Sequence, residues 1–275
     1  MNSSLIKRIL SAIVGLFIIF LAHLFFKAEG MYVLCTMVLM LMAYECGSLS
    51  FKSKKAFSFL LPIHLIHFVS FYYHPDLNNI FFFSLIEIII WMWVHRKSAD
   101  SEEPFYSNHG RLYEFLFYSL AAPTFLLAHL VNTPHFESLY FLFFIIASFD
   151  TLSYFWGKLL GGKFFSAKLY PVSSPSKTIE GALFAGLSCI PITLVLDQNF
   201  NSFSFLQNFD SPLLKIALTA LLLLAALTGD LTESVIKRSA KIKDSGSFLP
   251  GHGGFFDRLD GMLFASIISY LLLQS

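Results

Sequence analysis

Most of this chain consists of apolar runs that are long enough to cross a lipid bilayer. The hydrocarbon core of a bilayer is about 30 Å thick and needs about 20 mostly apolar residues in a helix, because hydrocarbon offers the backbone no hydrogen-bond partner. The runs lie near residues 9–26, 31–50, 57–73, 77–94, 112–131, 138–157, 181–196, 213–231 and 261–273. Since the last run is short, we predict an all-α, polytopic integral membrane protein with eight or nine transmembrane helices.

The composition excludes a water-soluble globule. Hydrophobic residues make up 56% of the 275 residues and charged residues only 13%, whereas charged residues make up about 25% of a soluble domain. The 33 phenylalanines are more than one compact core of this length hides from water, so lipid must cover part of them. The net charge of +1 disfavours a nucleic-acid partner. The three cysteines lie in apolar runs without metal-ligand spacing and predict no zinc site.

The distribution of cationic residues predicts the orientation of the chain. Cytoplasmic connections of membrane proteins are enriched in Lys and Arg. If the N-terminus is cytoplasmic, all of the 19 Lys and Arg residues except Lys27 and Lys215 fall in cytoplasmic segments. We therefore predict a cytoplasmic N-terminus and two long cytoplasmic loops, at 158–180 and 232–260.

An acidic residue, Asp150, lies inside the apolar run 138–157 and shares one helical face with Tyr154 and Gly157. A carboxylate in a transmembrane helix is costly, so such a residue usually faces a polar cavity or a cation. We favour that interpretation over a hydrogen bond that only supports helix packing.

The first loop ends in Ser174, Lys177, Thr178 and Glu180, just ahead of the next apolar helix. Hydroxyls, backbone N–H groups and an ammonium at a helix start can bind phosphate oxygens. The same spacing is also an ordinary helix-capping arrangement. Taken alone, this segment leaves both interpretations open.

The second loop begins with a charged helical stripe. Asp230, Glu233, Ser234, Lys237 and Lys241 recur at helical spacing after the apolar run. A solvated stripe held by the Glu233–Lys237 pair would be the simpler interpretation if the polar pattern ended there. The pattern continues to the last apolar run, which favours a functional surface.

The end of that loop combines glycines with two acidic residues. Gly253 and Gly254 permit close approach of the backbone to a ligand. Asp257 and Asp260 are three residues apart at the head of the last helix and can direct their carboxylates to a common side. Such oxygen ligands suit Mg²⁺, which takes one or two carboxylates together with substrate phosphates and water.

Residues 234–260 carry a family resemblance, and their sequence is SVIKRSAKIKDSGSFLPGHGGFFDRLD. This stretch resembles the signature of the phosphatidate cytidylyltransferases, also called CDP-diacylglycerol synthases. The upstream segments 150–157 and 174–181 resemble two further blocks of that family. The departures are Ser176 in place of a second lysine, Ser153 in place of alanine and Lys158 in place of arginine.

The resemblance implies the reaction of CTP with phosphatidate to give CDP-diacylglycerol and pyrophosphate in phospholipid biosynthesis. It implies Mg²⁺, alone or with a second divalent or monovalent cation, and a homodimer in the cell inner membrane with its active site facing the cytoplasm. The chain is then a single membrane domain, 1–275, with a family-like catalytic portion at about 138–275 and less informative N-terminal helices at about 1–137.

The resemblance also distributes roles among the residues of the two loops. The catalytic residues are expected to be Asp230, Asp257, Lys237, Arg238, Lys243 and Asp244. The substrate-binding residues are expected to be Ser174, Lys177, Thr178, Glu180, His252, Gly253, Gly254 and Arg258. The metal ligands are expected among Asp230, Asp257, Asp260, Glu233 and Asp150.

Two other classes of membrane protein share some of these features. A CDP-alcohol phosphatidyltransferase is suggested by Asp257-Arg-Leu-Asp260-Gly261, but the Ala-Arg pair that should follow is Phe264-Ala265 here. A transporter is suggested by Glu45, Glu87 and Asp150 within apolar runs. Neither matched broken helices nor an internal repeat supports a transporter.

Overall fold

The structure is a computed structural model that describes most of the chain. The described residues are 3–50, 61–76, 78–79, 82–83, 85–86, 89, 138–171, 173–199, 206–249 and 253–274. The predicted run 112–131 and much of the run 77–94 lie outside them. The total of eight or nine helices therefore stays a prediction.

The described chain is mostly helical, as predicted. Its elements in chain order are α1 (Ser3–Ser50), α2 (Leu61–Tyr73), α3 (Ser138–Leu160), β1 (Lys168–Tyr170), β2 (Ser174–Thr178), α4 (Ile179–Asn199), α5 (Pro212–Ser239) and α6 (Phe256–Gln274). The strands β1 and β2 form a small antiparallel hairpin in which Lys168 is paired with Thr178. The apolar and polar patterns of the sequence did not predict this hairpin.

Four described helices are long and apolar enough to cross a membrane. These segments are Ile13–Cys46, Ser138–Leu160, Ile179–Asn199 and Pro212–Arg238. Many of their large apolar side chains are exposed at the protein surface, including Phe25, Val195 and Leu224. A surface of this kind is expected where lipid takes the place of water. The helical backbone of α1 is interrupted at Lys27, which lies between the first two predicted apolar runs.

The chain divides into two compact units. The first unit comprises Met1–Asn132 and Ser239–Arg258, and the second comprises Thr133–Arg238 and Leu259–Ser275. In the first unit α1 packs on α2, where the Tyr32 hydroxyl donates a hydrogen bond of 2.6 Å to the carbonyl of Phe68. Leu39, Met42 and Phe71 are fully buried in this unit.

The second unit is built on α3 and α4 and also contains the hairpin, α5 and most of α6. Its core includes Leu142, Phe149, Ala185 and Leu263. At the far end of α4, Asp197 accepts a 2.5 Å hydrogen bond from the ammonium of Lys215 on α5. This ion pair joins α4 to α5 away from the hairpin.

Candidate functional site

Two helices of the second unit, α5 and α6, approach each other closely next to acidic residues of both helices. A Cβ atom added to Gly229 on α5 would overlap with the carbonyl oxygen of Asp260 on α6. A Cβ atom added to Gly261 would lie 3.0 Å from the carbonyl oxygen of Ala226. Because both positions are glycine and carry no side chain, the backbones of α5 and α6 can cross at short range.

This crossing assembles a carboxylate cluster, which we define as Asp230, Glu233 and Asp260. One carboxylate oxygen from each residue lies within 4.8 Å of the other two. Glu233 is buried, and its Oε2 accepts the ammonium of Lys237 at 2.7 Å, one turn further along α5. Three hard oxygen donors at this separation can share one cation.

The hairpin brings a lysine to the carboxylate cluster. The ammonium of Lys177, on β2, forms an ion pair with Asp230. The side chain of Lys177 is 25% exposed and that of Asp230 is 28% exposed. Burial lowers the pKa of Lys177 below the ordinary lysine value. The negative charges of Asp260, Asp150 and Glu233 oppose that shift. Positive charge at this position is therefore stabilised by several carboxylates at once.

A cavity of about 510 Å³ opens beside this ion pair. Asp150 lines it from α3 and Asp230 from α5, while Ser176, Lys177 and Thr178 line it from β2. Asp150 therefore borders a cavity together with a lysine and two hydroxyl side chains of β2, and its role as a metal ligand stays a prediction. A second cavity of about 380 Å³ shares part of this lining and is bordered almost entirely by apolar residues of α3, α4 and α5.

Thr178 and Glu180, both predicted to bind substrate, have structural partners at the start of α4. The Thr178 hydroxyl accepts a 3.0 Å hydrogen bond from the Gly181 amide, as a helix-capping residue does. Oε1 of Glu180 accepts the amides of Gly162, Phe164 and Phe165 at 2.9 to 3.1 Å. The capping interpretation left open by the sequence therefore has direct support. Ser174, Thr178 and Glu180 are all buried.

Arg238, at the end of α5, reaches the loop that precedes β2. Its Nε donates a 3.2 Å hydrogen bond to the carbonyl of Ser173. This contact fixes the C-terminal end of α5 relative to the hairpin. Arg238 and Lys237 thus both have protein partners, and their predicted roles in catalysis stay predictions.

The remaining predicted site residues lie in the first unit. Oδ2 of Asp257 accepts the amides of Ser245 and Gly254 at 2.9 and 2.8 Å. Lys243, Asp244 and Arg258 are exposed, whereas Gly254 is buried and Gly253 is partly exposed, with a φ of 86°. His252 lies outside the described residues. The metal role predicted for Asp257 stays a prediction.

Sequence reasoning did not assign a site role to Glu45, whose carboxylate contacts the loop between α5 and α6 in the structure. This carboxylate, on α1, is 2% exposed. Its Oε2 accepts the amide of Phe256 at 2.9 Å, and the Ser245 hydroxyl lies 3.1 Å from the same oxygen. The available signal was an acidic residue inside an apolar run, which the sequence pattern connected only with a transporter.

Comparison with known proteins identifies relatives of this chain. Residues 6–275 match the model of the cytidylyltransferase family. The chain is 46% identical over 127 residues to the chloroplastic phosphatidate cytidylyltransferase 5 of Arabidopsis thaliana, covering 46% of this chain and 29% of the relative. It is 38% identical over 139 residues to the phosphatidate cytidylyltransferase of Staphylococcus aureus strain COL, covering 49% of this chain and 48% of the relative.

A similar relationship holds for the phosphatidate cytidylyltransferase of Staphylococcus saprophyticus, which is 37% identical over 138 residues. The chain spans about half of the length of these bacterial relatives and less of the plant protein. The family model, in contrast, covers nearly the whole chain. The chain therefore belongs to the cytidylyltransferase family.

Proposed function

We propose that this protein is a phosphatidate cytidylyltransferase, which converts CTP and phosphatidate to CDP-diacylglycerol and pyrophosphate. The observation that carries the proposal is the carboxylate cluster beside Lys177, of which Asp230 lines the cavity of about 510 Å³. Membership of the cytidylyltransferase family and the names of the relatives support the same activity. Such a site suits a reaction between two polyanionic substrates, one of which is a lipid.

Mg²⁺ is the cofactor that we propose for this site, alone or with a second divalent or monovalent cation. The donor set fits, because three carboxylate oxygens within 4.8 Å of one another match the hard ligands that Mg²⁺ prefers. The side chain of Lys177 forms an ion pair with one of these acids, Asp230. Asp230, Glu233 and Asp260 would hold the ion, and Asp150 and Asp257 are further proposed ligands.

The charge balance supports the proposal of a cation at this site. Two lysines, Lys177 and Lys237, stand among four acidic side chains, Asp150 and the carboxylate cluster. A nucleoside triphosphate would be repelled by the remaining negative charge. When bound, Mg²⁺ would neutralise phosphate charge and stabilise the charge that develops on the transferred group.

The chemical step that we propose needs positioning more than a strong base. A phosphomonoester has a second pKa of about 6, so the phosphate of the lipid is largely ionised at pH 7. One of its oxygens bonds to the α-phosphorus of CTP while the bond from that phosphorus to the bridging oxygen breaks, and pyrophosphate leaves. The protein then contributes alignment of the two phosphates and fixed charges around them.

The cationic donors for those phosphates are proposed on both loops. Lys177 and Lys237 would bind phosphate beside the carboxylate cluster, and Arg238 would do so from the end of α5. An ammonium has three donors and a guanidinium five, so the contacts of Lys237 with Glu233 and of Arg238 with Ser173 are compatible with phosphate binding. Further contacts are proposed for Ser174, Thr178, Glu180, Lys243, Asp244, His252, Gly253, Gly254 and Arg258.

The apolar cavity of the second unit supports the proposal that one substrate is a lipid. It is lined by side chains such as Leu183, Leu187 and Leu224, and shares Phe149 and Leu227 with the cavity beside Lys177. An acyl chain is stabilised in such surroundings by about 0.8 kcal/mol for each buried CH₂ group. Phosphatidate could thus place its chains beside apolar helices and its phosphate near Lys177.

The membrane arrangement is part of the proposal. We propose eight or nine transmembrane helices, a cytoplasmic N-terminus and an active site facing the cytoplasm, where CTP is present. The four described candidate spans and the cationic pattern of the sequence support this arrangement. An inner-membrane location and a homodimer are proposed on the family resemblance alone.

The experiment that tests the activity uses purified protein in detergent with labelled CTP, phosphatidate and Mg²⁺. Labelled CDP-diacylglycerol should accumulate only when phosphatidate is present, with release of pyrophosphate. A parallel reaction supplies CDP-diacylglycerol and an alcohol. If label moves only in the parallel reaction, or if no nucleotide is consumed, the proposed activity is wrong.

A further inference from the structure

The loop that follows α5 is organised around a carboxylate from the first helix of the chain. Glu45 is 2% exposed, and its Oε2 accepts the amide of Phe256, the first residue of α6, at 2.9 Å. The Ser245 hydroxyl lies 3.1 Å from the same oxygen. Glu45 is therefore in contact with both ends of the segment 245–256, which belongs to the family signature.

Two glycines of this segment make room for Glu45. A Cβ atom added to Gly246 would lie 2.8 Å from Cδ of Glu45, and its nearest neighbours are all atoms of that side chain. A Cβ atom added to Gly254 would lie 2.5 Å from Oε1 of Glu45. Both distances are shorter than real Cβ contacts, so the loop closes around the carboxylate only because these two positions lack side chains.

A second carboxylate completes the same arrangement. Oδ2 of Asp257 accepts the amides of Ser245 and Gly254, and the Ser245 hydroxyl lies 3.0 Å from it. Since a serine hydroxyl has one proton, it can donate to Glu45 or to Asp257 at any moment. The two acids thus contact the segment at Ser245, at Gly254 and at Phe256. Phe256 lies in the first turn of α6, where amides without partners inside the helix favour a negative charge.

We propose that Glu45 is a positioning residue for the cytidylyl transfer, a role that rests on the proposed function. It holds residues 245–249 and 253–256 in the conformation that presents Asp257 and the neighbouring cationic residues to the substrates. It does not touch the reacting atoms. The acceptor oxygen and the shape of the Glu45 side chain determine this role, which differs from the ion-transport role that an acidic residue in a transporter would have.

The first test compares full-length Glu45→Ala and Glu45→Gln with the wild type in the CDP-diacylglycerol assay. Alanine removes the acceptor, so kcat should fall at least about tenfold through misplacement of the loop. Glutamine retains an acceptor oxygen of similar reach, and kcat should stay within about fivefold of wild type. Glu29→Gln, an exposed acid on the same helix, is the matched control and should leave kcat and KM unchanged.

The second test is a double-mutant cycle with Gly246→Ala. Alone, this substitution should lower kcat at least about tenfold, because its methyl group displaces the Glu45 carboxylate. In the Glu45→Ala background the methyl group finds space, and Gly246→Ala should change kcat less than about twofold further. This non-additivity would show that the two substitutions act through the same contact.

Hydrogen exchange keeps the proposal testable even if the alanine variant does not fold. Peptides that contain Phe256 should be protected from exchange in the wild type and in Glu45→Gln. Exchange there as fast as in an exposed loop would overturn the proposal. So would a wild-type kcat in Glu45→Ala, an equal loss in Glu45→Gln and Glu45→Ala, or additive effects in the cycle. Absence of CDP-diacylglycerol synthesis by the wild type would instead refute the proposed function.

Discussion

Replacing Asp230 by asparagine tests the carboxylate cluster directly. The substitution retains the shape of the side chain and removes one of the three negative charges that would hold Mg²⁺. It also removes the ion-pair partner of Lys177. Because both side chains of that pair are partly exposed, its loss should cost no more than about 1 kcal/mol of folding free energy. Asp230→Asn should therefore fold normally and lose activity.

The size of the loss follows from the spacing of the cluster. Its oxygens lie within 4.8 Å of one another, so a cation that they share would lie closer than that to each oxygen. Unit charges at 4.8 Å attract by about 3.5 kcal/mol at an effective dielectric constant of about 20, which sets a lower bound for one ion–carboxylate contact. A divalent ion doubles this attraction, while solvent and a replacing water ligand offset roughly half of it. A net loss of about 3.5 kcal/mol corresponds to about a 400-fold decrease in kcat/KM.

The assay is synthesis of CDP-diacylglycerol by detergent-solubilised protein across a range of Mg²⁺ concentrations. Size-exclusion chromatography and thermal unfolding report on the fold of each variant. Asp210→Asn is the matched control, because Asp210 is exposed in the connection between α4 and α5. It should keep activity within a few-fold of wild type.

One result would refute the reasoning. If Asp230→Asn is folded and keeps near wild-type turnover at an unchanged Mg²⁺ requirement, the carboxylate cluster does not hold the catalytic cation. A loss of turnover that excess Mg²⁺ partly restores would support the cluster.

Three further predictions concern packing, stability and topology. Gly229→Ala should lower the free energy of unfolding by about 1–3 kcal/mol and also reduce activity, because its methyl group would push α5 away from the backbone of α6; unchanged thermal unfolding would contradict this. Asp197→Asn should lower stability by a similar amount, about 1–3 kcal/mol, with little change in kcat, because it leaves the partly buried ammonium of Lys215 without its charged partner. Cysteine probes at Lys168 should react only from the cytoplasmic side and those at Asp76 only from the opposite side, and labelling of Lys168 from outside would refute the proposed orientation.

The helices of the second unit could be predicted from the sequence because their signal is local. The apolar runs 138–157, 181–196 and 213–231 correspond to α3, α4 and α5. The polar continuation of α5 was visible as far as Lys237, since its charged residues recur at helical spacing. The prediction that Lys241 continues this helical stripe was wrong, because α5 ends at Ser239 and Lys241 has a φ of 59°. An apolar run defines a helix without reference to the rest of the chain.

The hairpin was not predictable on the same grounds. Its strands have three and five residues, Lys168–Tyr170 and Ser174–Thr178, too few for an alternating pattern to stand out. The second strand also contains a proline, which weakens a strand prediction. The hairpin is defined by hydrogen-bond pairing between two separate segments, and the sequence of either segment alone does not reveal that pairing.

The carboxylate cluster was predictable in part. Helical spacing alone places Asp230 and Glu233 on one side of α5. Their approach to Asp260 depends on the crossing of α5 and α6 at Gly229 and Gly261. A glycine in a helix does not by itself indicate which backbone it will meet, so this third member could only be proposed from chemistry and resemblance.

The acidic pair at the head of α6 shows why spacing alone cannot assign a ligand. Asp257 and Asp260 are one turn apart, which predicts a common side. The first turn of a helix, however, presents amides that lack intrahelical partners and compete with a cation for the nearest carboxylates. In the structure Oδ2 of Asp257 accepts loop amides, and Oε2 of Glu45 accepts the amide of Phe256. Asp260, one turn further on, belongs to the carboxylate cluster instead. The position of an acid relative to the helix end, and not only its interval from the next acid, therefore decides which of these competing partners it can reach.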